Sequence, residues 1–444
     1  MDTSERIAAN IEYRCVLLRR ATGHVLAFKE EGQQHLPRIR IPDRTRPAEQ
    51  LQKAIRAQWG LEVFVLETHA AGNRAGAYVT AELLTHERST VLDEIPFRRL
   101  KDCELSAEDL GHLELLVRGE TDFPCSRLGW IEEAVAWIES QSGAKFSLKR
   151  DIEQLNAGGG FALFRARSDD GRVYWLKATG KANKHEFAVT RFLSELCPEF
   201  LPTIAQFKIE WNAWLMEDAG ASISEPPGAE ELGLAASRMS RMQLLTIGRT
   251  AALLGAGAFD LRLPRLRSHI DRVIEYLTEA MTRQTSIKAV PLSGDRLREI
   301  GEILRDAFCR VEDLRIPDTL IHNDLNLGNI LSNGGKLVFT DWSEAAIGNP
   351  FTACERLCRL NPSHCEDVQA AYKDRWSELL DQQTIESAFH LMPLLSIYAC
   401  LHGRGQWLAE PDNVPLQLES YRRSLARHMD RAAKRLVLVG ALCH

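Results

Sequence analysis

At 444 residues, with 45% hydrophobic and 26% charged positions, the chain has the composition of an ordinary globular protein, long enough for two or three domains. Its 55 basic residues against 61 acidic ones give a formal net charge of −6, with no basic half or tract, so nothing in the composition marks a nucleic-acid binder.

The N-terminal MDTSERIAANIEYR lacks the apolar core of a signal peptide. The longest notable apolar run, Leu436 to Cys443, is too short to span a bilayer. Ten cysteines are scattered without the spacing of a disulfide framework, and a reduced cytoplasm is the simplest setting.

Residues 14–20 and 24–28 read as strands joined at Thr22-Gly23. A helix is predicted over 46–59, with Pro47 in its first turn and Gly60 at its end. Strands return over 61–67 and 77–84, and Ser106 with Asp109 forms a capping box that opens a helix to about 118. This order resembles a Nudix domain. The Nudix helix should carry an Arg-Glu and then paired glutamates to hold Mg²⁺, whereas Lys53-Ala54 and Ala57-Gln58 stand at those places. The resemblance therefore implies a non-catalytic domain over 1–127. An amphipathic helix over 129–140 serves as the connector, within 128–142.

Strands are predicted over 152–156 and 161–166 around Ala157-Gly158-Gly159-Gly160, whose glycines would let backbone N–H groups approach a phosphate chain. A glycine-rich turn between strands is more often only a turn. In the next strand, 172–178, alternation puts Val173, Trp175 and Lys177 on one face, where an ammonium requires an anionic partner. The helix over 184–196 offers one, because Glu186 shares the stripe of Val189, Leu193 and Leu196. A strand over 211–216 leads to Glu217-Asp218-Ala219-Gly220. Beyond 227 the pattern is helical: 229–255, 264–283, 293–312, 351–360, 364–379, 383–402 and 415–440.

The stretch LIHNDLNLGNILSNGGKLVFTDWSEAAIGNP interrupts those helices and carries most of the chemistry. Residues 330–332 and 336–339 read as a hairpin with Asn333-Gly334-Gly335 as its turn. Its open end would bring Asn329 and Asp341 together, since adjacent strands run about 5 Å apart. Asp324 lies just upstream. Two oxygen ligands and a nearby carboxylate make a Mg²⁺ site beside a general base. Asn333 and Gly334 are explained as turn formers alone. Cys354, Cys358, His364 and Cys365 lack the second ordered pair of a zinc site, and read as buried thiols on a helix.

His322, Asp324 and Asn329, then the hairpin, then Asp341-Trp342, resemble the catalytic and metal loops of the kinase superfamily, closest to the aminoglycoside phosphotransferase and choline kinase branch. The resemblance spans about 146–444. It implies an α+β, bilobal protein-kinase-like domain with a small lobe over 143–218 and a helical large lobe over 219–444. It implies ATP and Mg²⁺ as cofactors and a small-molecule hydroxyl as acceptor. Asp324 would be the base and His322 a brace of its loop. Asn329 and Asp341 would hold Mg²⁺. Lys177 would fix the α/β-phosphates with Glu186 holding it, Gly158, Gly159 and Gly160 would cover them, and the backbone at Glu217 and Ala219 would meet the adenine. Trp175 would line the base pocket. The acid content of the large lobe is compatible with a cationic acceptor. A kinase-like nucleotide sensor without transfer activity is the alternative.

Overall fold

The computed structural model describes residues 10–30, 33–43, 46–69, 77–84, 91–100, 105–158, 160–223, 225–409 and 416–442. The chain divides into two compact units, one of Met1–Phe187 with Thr203–Asp218, the other of Ala188–Pro202 with Ala219–His444.

In the first unit, β1 (Asn10–Arg19) is buried on both faces from Cys15 to Leu18, the signature of a central strand. It pairs antiparallel with β2 (His24–Glu30) through the left-handed Gly23, and β2 pairs with the short β3 (Gln33–His35). It also pairs antiparallel with β4 (Arg38–Pro42). The crossover helix α1 (Pro47–Trp59) buries Ala48, Leu51 and Ile55 and stops at Gly60, whose N–H closes on Arg56. Next come β5 (Val63–His69) and β6 (Ala77–Leu83); β6 lies parallel to β1 and antiparallel to β5. β7 (Asp93–Pro96) pairs with β2. The expected capping box at Ser106 and Asp109 opens α2 (Ala107–Arg118). Helix α3 (Trp130–Ser142) then leads to a second, antiparallel sheet of β8 (Ile152–Asn156), β9 (Phe161–Arg167), β10 (Val173–Thr179), β11 (Ile204–Lys208) and β12 (Ala213–Glu217), in the order β11-β12-β10-β9-β8. Helix α4 (Lys184–Leu196) connects β10 to β11.

Helix α3 is more than a connector. Trp130 is fully buried, with ring centroids 6.0 Å from Phe64, 6.0 Å from Phe164 and 5.5 Å from Trp211, so it touches both sheets. One core runs from β1, β2 and β5 through α2 and α3 to the inner face of β9, β10 and β12. Each large side chain buried there contributes about 1.5–3 kcal/mol. The fully buried Gln154 adds a polar link: its amide accepts from Val65 N–H at 2.8 Å and donates to Val65 C=O at 2.7 Å. A side chain on β8 thus stands in for a missing ladder strand beside β5. Trp211, expected inside a strand, instead belongs to a 3-10 turn ending at the left-handed Asn212.

The second unit begins with β13 (Ala221–Ser222) and helices α5 (Ala229–Leu245) and α6 (Thr250–Ala256). A single helix over 229–255 was expected; Gly248 adopts φ 77 and breaks it. After β14 (Phe259–Leu261) come α7 (Leu263–Ser268) and α8 (Ile270–Thr282), split at His269 where one helix was expected, then α9 (Gly294–Asp313). β15 (Thr319–Ile321), β16 (Ile330–Asn333), β17 (Lys336–Phe339) and β18 (Ala346–Gly348) precede helices α10 (Phe351–Leu360), α11 (Cys365–Trp376), α12 (Gln382–His402) and α13 (Leu416–Leu442). Two small sheets form, β13-β16-β17 and β14-β18-β15. The second escaped sequence reading because three-residue strands are too short to show a period of two. Helix α12 is long and apolar enough to cross a bilayer by length and composition; here it is largely buried in the core of its unit, as a helix apolar all round must be.

Candidate active site

Strand β15 delivers the buried His322, whose Nε2–H donates to Thr340 C=O at 2.8 Å. This bond ties the loop after β15 to the residue before Asp341. The Trp342 ring packs 4.4 Å from the imidazole. Burial pushes the His322 pKa below the usual imidazole range, so a neutral ring acts as a brace.

Asp324 follows on the same loop. Its Oδ1 accepts from Arg356 Nη2 at 2.6 Å, and its Oδ2 accepts from Asn326 Nδ2 at 3.2 Å and Asn329 Nδ2 at 3.3 Å. Asn329 Nδ2 also donates to the Asp324 carbonyl at 2.9 Å. With its amide nitrogen turned to Asp324, Asn329 presents Oδ1 as its remaining acceptor, the atom a hard cation takes.

The hairpin forms as expected, with one difference. Asn333 pairs with Lys336, so the loop is only Gly334-Gly335, with φ 57 and 86. Both central residues of a type I′ turn need positive φ. At its open end, Thr340 N–H donates to Asn329 C=O at 3.0 Å. One residue on, Asp341 adopts φ 63, ψ 70. A left-handed non-glycine at the exit of a strand is the kind of strained residue that clusters at functional sites. Asp324, Asn329 and Asp341 therefore gather at one end of one hairpin, and an Asn oxygen with carboxylates is a donor set that fits Mg²⁺.

Arg356 was not singled out from the sequence. It sits on α10, which follows Asp341 after the short strand β18. The only available signal was that proximity in sequence. Its neighbour on the helix, Arg359, has Nε and Nη2 buried without a hydrogen-bond partner. A cleft just big enough for a water, about 10 Å³, lies among His322, Asn323, Arg356 and Arg359. Arg359 also lines a larger cavity of about 610 Å³ between α10, α12 and α13, together with Glu355, Arg431 and Arg435. Burial pushes the Glu355 carboxyl up to about 7, only partly countered by Arg359.

The thiols of this region read as expected. Cys354 and Cys358 are buried, burial raises Cys354, and Cys365 is pushed up to about 12 chiefly by burial. Thiols held protonated are poor metal ligands.

The first unit holds the other predicted residues. Lys177 Nζ lies 2.6 Å from Glu186 Oε1, with side chains 6% and 0% exposed. The ammonium also stands over the rings of Phe161 (4.9 Å) and Trp214 (5.8 Å). Alternation on β10 and the apolar stripe of α4 thus converge as the sequence indicated. Of the glycine turn, Gly158 adopts φ 128, a conformation that disfavours any side chain. The Gly160 carbonyl accepts from Gly180 N–H at 3.0 Å; Gly159 lies outside the described residues. Ala157 belongs to the core of the first sheet, and a Cβ on Gly158 would meet Thr68 Oγ1 at 3.9 Å. Glu217 N–H already donates to Thr203 C=O at 2.9 Å, so a base could meet only its carbonyl. Trp175 Nε1 donates to Asp218 Oδ1 at 2.6 Å.

No family model matches the chain. No curated protein matches it either. Over 64–69% of its length it is similar to solved structures of a spectinomycin phosphotransferase, a choline kinase and an ethanolamine kinase. One is a choline kinase from Cryptosporidium parvum Iowa II, 14% identical over 70% of this chain and 97% of the other, with TM-score 0.49. The GDP complex of an aminoglycoside 2′-phosphotransferase mutant is 15% identical over 68% and 97%, with TM-score 0.46. A spectinomycin phosphotransferase in complex with ADP and spectinomycin is 12% identical over 69% and 97%, with TM-score 0.43. At such identities the likeness is one of fold. None of these likenesses bears on the Nudix expectation for the first sheet.

Proposed function

We propose that the chain is an ATP-dependent phosphotransferase that moves the γ-phosphoryl group to a hydroxyl of a small molecule. The observation that carries this reading is the pair of hydrogen bonds that Asn329 Nδ2 donates to Asp324, at 2.9 Å to its carbonyl and 3.3 Å to Oδ2. It fixes a carboxylate base beside the hairpin end from which Asp341 emerges.

Asp324 accepts the proton of the acceptor hydroxyl as its oxygen bonds to the γ-phosphorus and ADP departs. Arg356 and Asn326 hold the carboxylate in place for that transfer. Asn329 Oδ1 and Asp341 would hold Mg²⁺, which neutralises charge on the phosphoryl oxygens when bound. Lys177 binds the α/β-phosphates and Glu186 orients its ammonium. Gly158 to Gly160 cover the phosphates with backbone N–H groups, and the backbone of Glu217 and Ala219 receives the base. The first sheet is non-catalytic, since Lys53, Ala54, Ala57 and Gln58 of α1 provide no carboxylate.

The acceptor carries an anionic group. Arg359, Arg431 and Arg435 line one cavity, where a carboxylate or phosphate would find guanidinium donors.

The test is transfer from γ-labelled ATP with Mg²⁺ into a pool of small metabolites, with Asp324→Asn and Asp341→Ala in parallel. Label in an anionic metabolite with the wild type, reduced at least about a hundredfold in Asp324→Asn, supports the reading. Tight Mg²⁺-ATP binding with no transfer would favour a nucleotide sensor. No nucleotide binding would end both.

A further inference from the structure

Glu67, His69 and His112 take no part in the chemistry above. A bulge between Val65 and Glu67 resets the register of β5 against β6. Glu67 and His69, two residues apart, then share one face of β5, with Thr68 on the other. His112 comes from the second turn of α2. Its Nε2 lies 2.5 Å from Glu67 Oε2, and His69 Nε2 lies 3.2 Å from the same oxygen. The three donor atoms fall within 4.8 Å of one another.

Hydrogen bonding does not account for this group. The contact between His112 Nε2 and Glu67 Oε2 has hydrogen-bond geometry. His69 Nε2 is sealed from solvent, yet its alignment to Oε2 makes no hydrogen bond, and it has no other partner. A buried ring nitrogen left in this state calls for an explanation. Its ring is not free to turn away: it stacks on Tyr78 with centroids 4.1 Å apart and planes 8° apart, and meets His112 edge-on at 5.2 Å. Around these groups stand the buried Ser126 beside Glu67 and Asp109 bonded to the Tyr78 hydroxyl.

We propose that Glu67, His69 and His112 form a binding site for a divalent transition-metal ion, with Zn²⁺ the best match. Two imidazole nitrogens and one carboxylate oxygen are a zinc donor set, and nitrogen ligands select against Mg²⁺ and Ca²⁺. In a tetrahedral zinc site with bonds of about 2.0–2.1 Å, donors stand roughly 3.3 Å apart. The two distances to Glu67 Oε2, 2.5 and 3.2 Å, lie within an ångström of that value. The fourth position would be left to water or another ligand. The ion would clamp α2 to the end of β5.

The proposal is tested on the full chain, freed of metal with a chelator and titrated with Zn²⁺ by calorimetry, with Co²⁺ absorption as a report on tetrahedral nitrogen and oxygen ligation. One equivalent should bind, raising the melting temperature. His112→Ala and Glu67→Gln should each weaken binding by about ten- to a hundredfold. His112 is 37% exposed, so its replacement should fold, which circular dichroism checks. Cys354→Ser should leave binding unchanged. Absence of saturable Zn²⁺ binding by the folded wild type would overturn the site, as would binding unaffected by His112→Ala or lost in Cys354→Ser. None of these readouts depends on phosphoryl transfer.

Discussion

Arg356 Nη2 and Asp324 Oδ1 stand 2.6 Å apart, joining the first turns of α10 to the loop that follows β15. Both side chains are partly exposed, at 19% and 40%, so the pair does little for stability and much for position. We expect Arg356→Gln to lower kcat by about ten- to a hundredfold while leaving Mg²⁺-ATP affinity within twofold, roughly the effect of removing one or two hydrogen bonds to a charged group. Arg356→Lys should restore little, because the geometry uses a planar guanidinium. Steady-state kinetics beside calorimetric ATP binding checks both.

The Lys177–Glu186 pair has the opposite character, since both side chains are buried. Glu186→Gln or Lys177→Met alone leaves a charge in an apolar site and should cost about 3–5 kcal/mol in urea denaturation. The double replacement Lys177→Met with Glu186→Leu should recover most of that stability. It should not recover nucleotide binding. Recovery of both would remove Lys177 from phosphate recognition.

Glu355 gives a pH signature. Its folded value is raised from 4.5 to about 7, so the folded state keeps a proton that the unfolded chain has lost. The stability this supplies is complete below about pH 4.5 and declines to nothing above about pH 7. Glu355→Gln should therefore melt near the wild type at pH 4.5 and be more stable at pH 8, by about 2–3 kcal/mol. Equal differences at both pH values would contradict the assignment.

Gln154→Ala removes the partner of both Val65 backbone groups. Two buried groups left unsatisfied predict a loss of about 2–4 kcal/mol. The same reasoning predicts that a chain cut at residue 142 will aggregate, because the cut separates α3 and Trp130 from the inner face of β9, β10 and β12. Light scattering on the two fragments decides this.

The readable parts of the chain were those where local pattern and chemistry agree. The hairpin announced itself through Asn333-Gly334-Gly335, and Asp341 through its position after an apolar strand. Lys177 and Glu186 could be paired because strand alternation and a helical stripe each point inward. Arg356 was illegible because its role depends on how α10 packs, which no spacing encodes. The breaks at Gly248 and His269 were hidden by apolar periodicity that continues across them. The joint core of the first unit was hidden too. Amphipathic α3 shows which face is apolar and not how many sheets will share it.

The glycine turn draws one more consequence from that shared core. Fixing a backbone residue costs roughly 1–2 kcal/mol in lost freedom, and a phosphate-binding turn normally meets that cost when its ligand arrives. Here Ala157 is buried in one apolar cluster with Val63 and Val65 of β5. Part of the ordering at this end of the turn is completed when the chain folds, so substitutions in β5 that touch no nucleotide should still change how strongly the nucleotide is held.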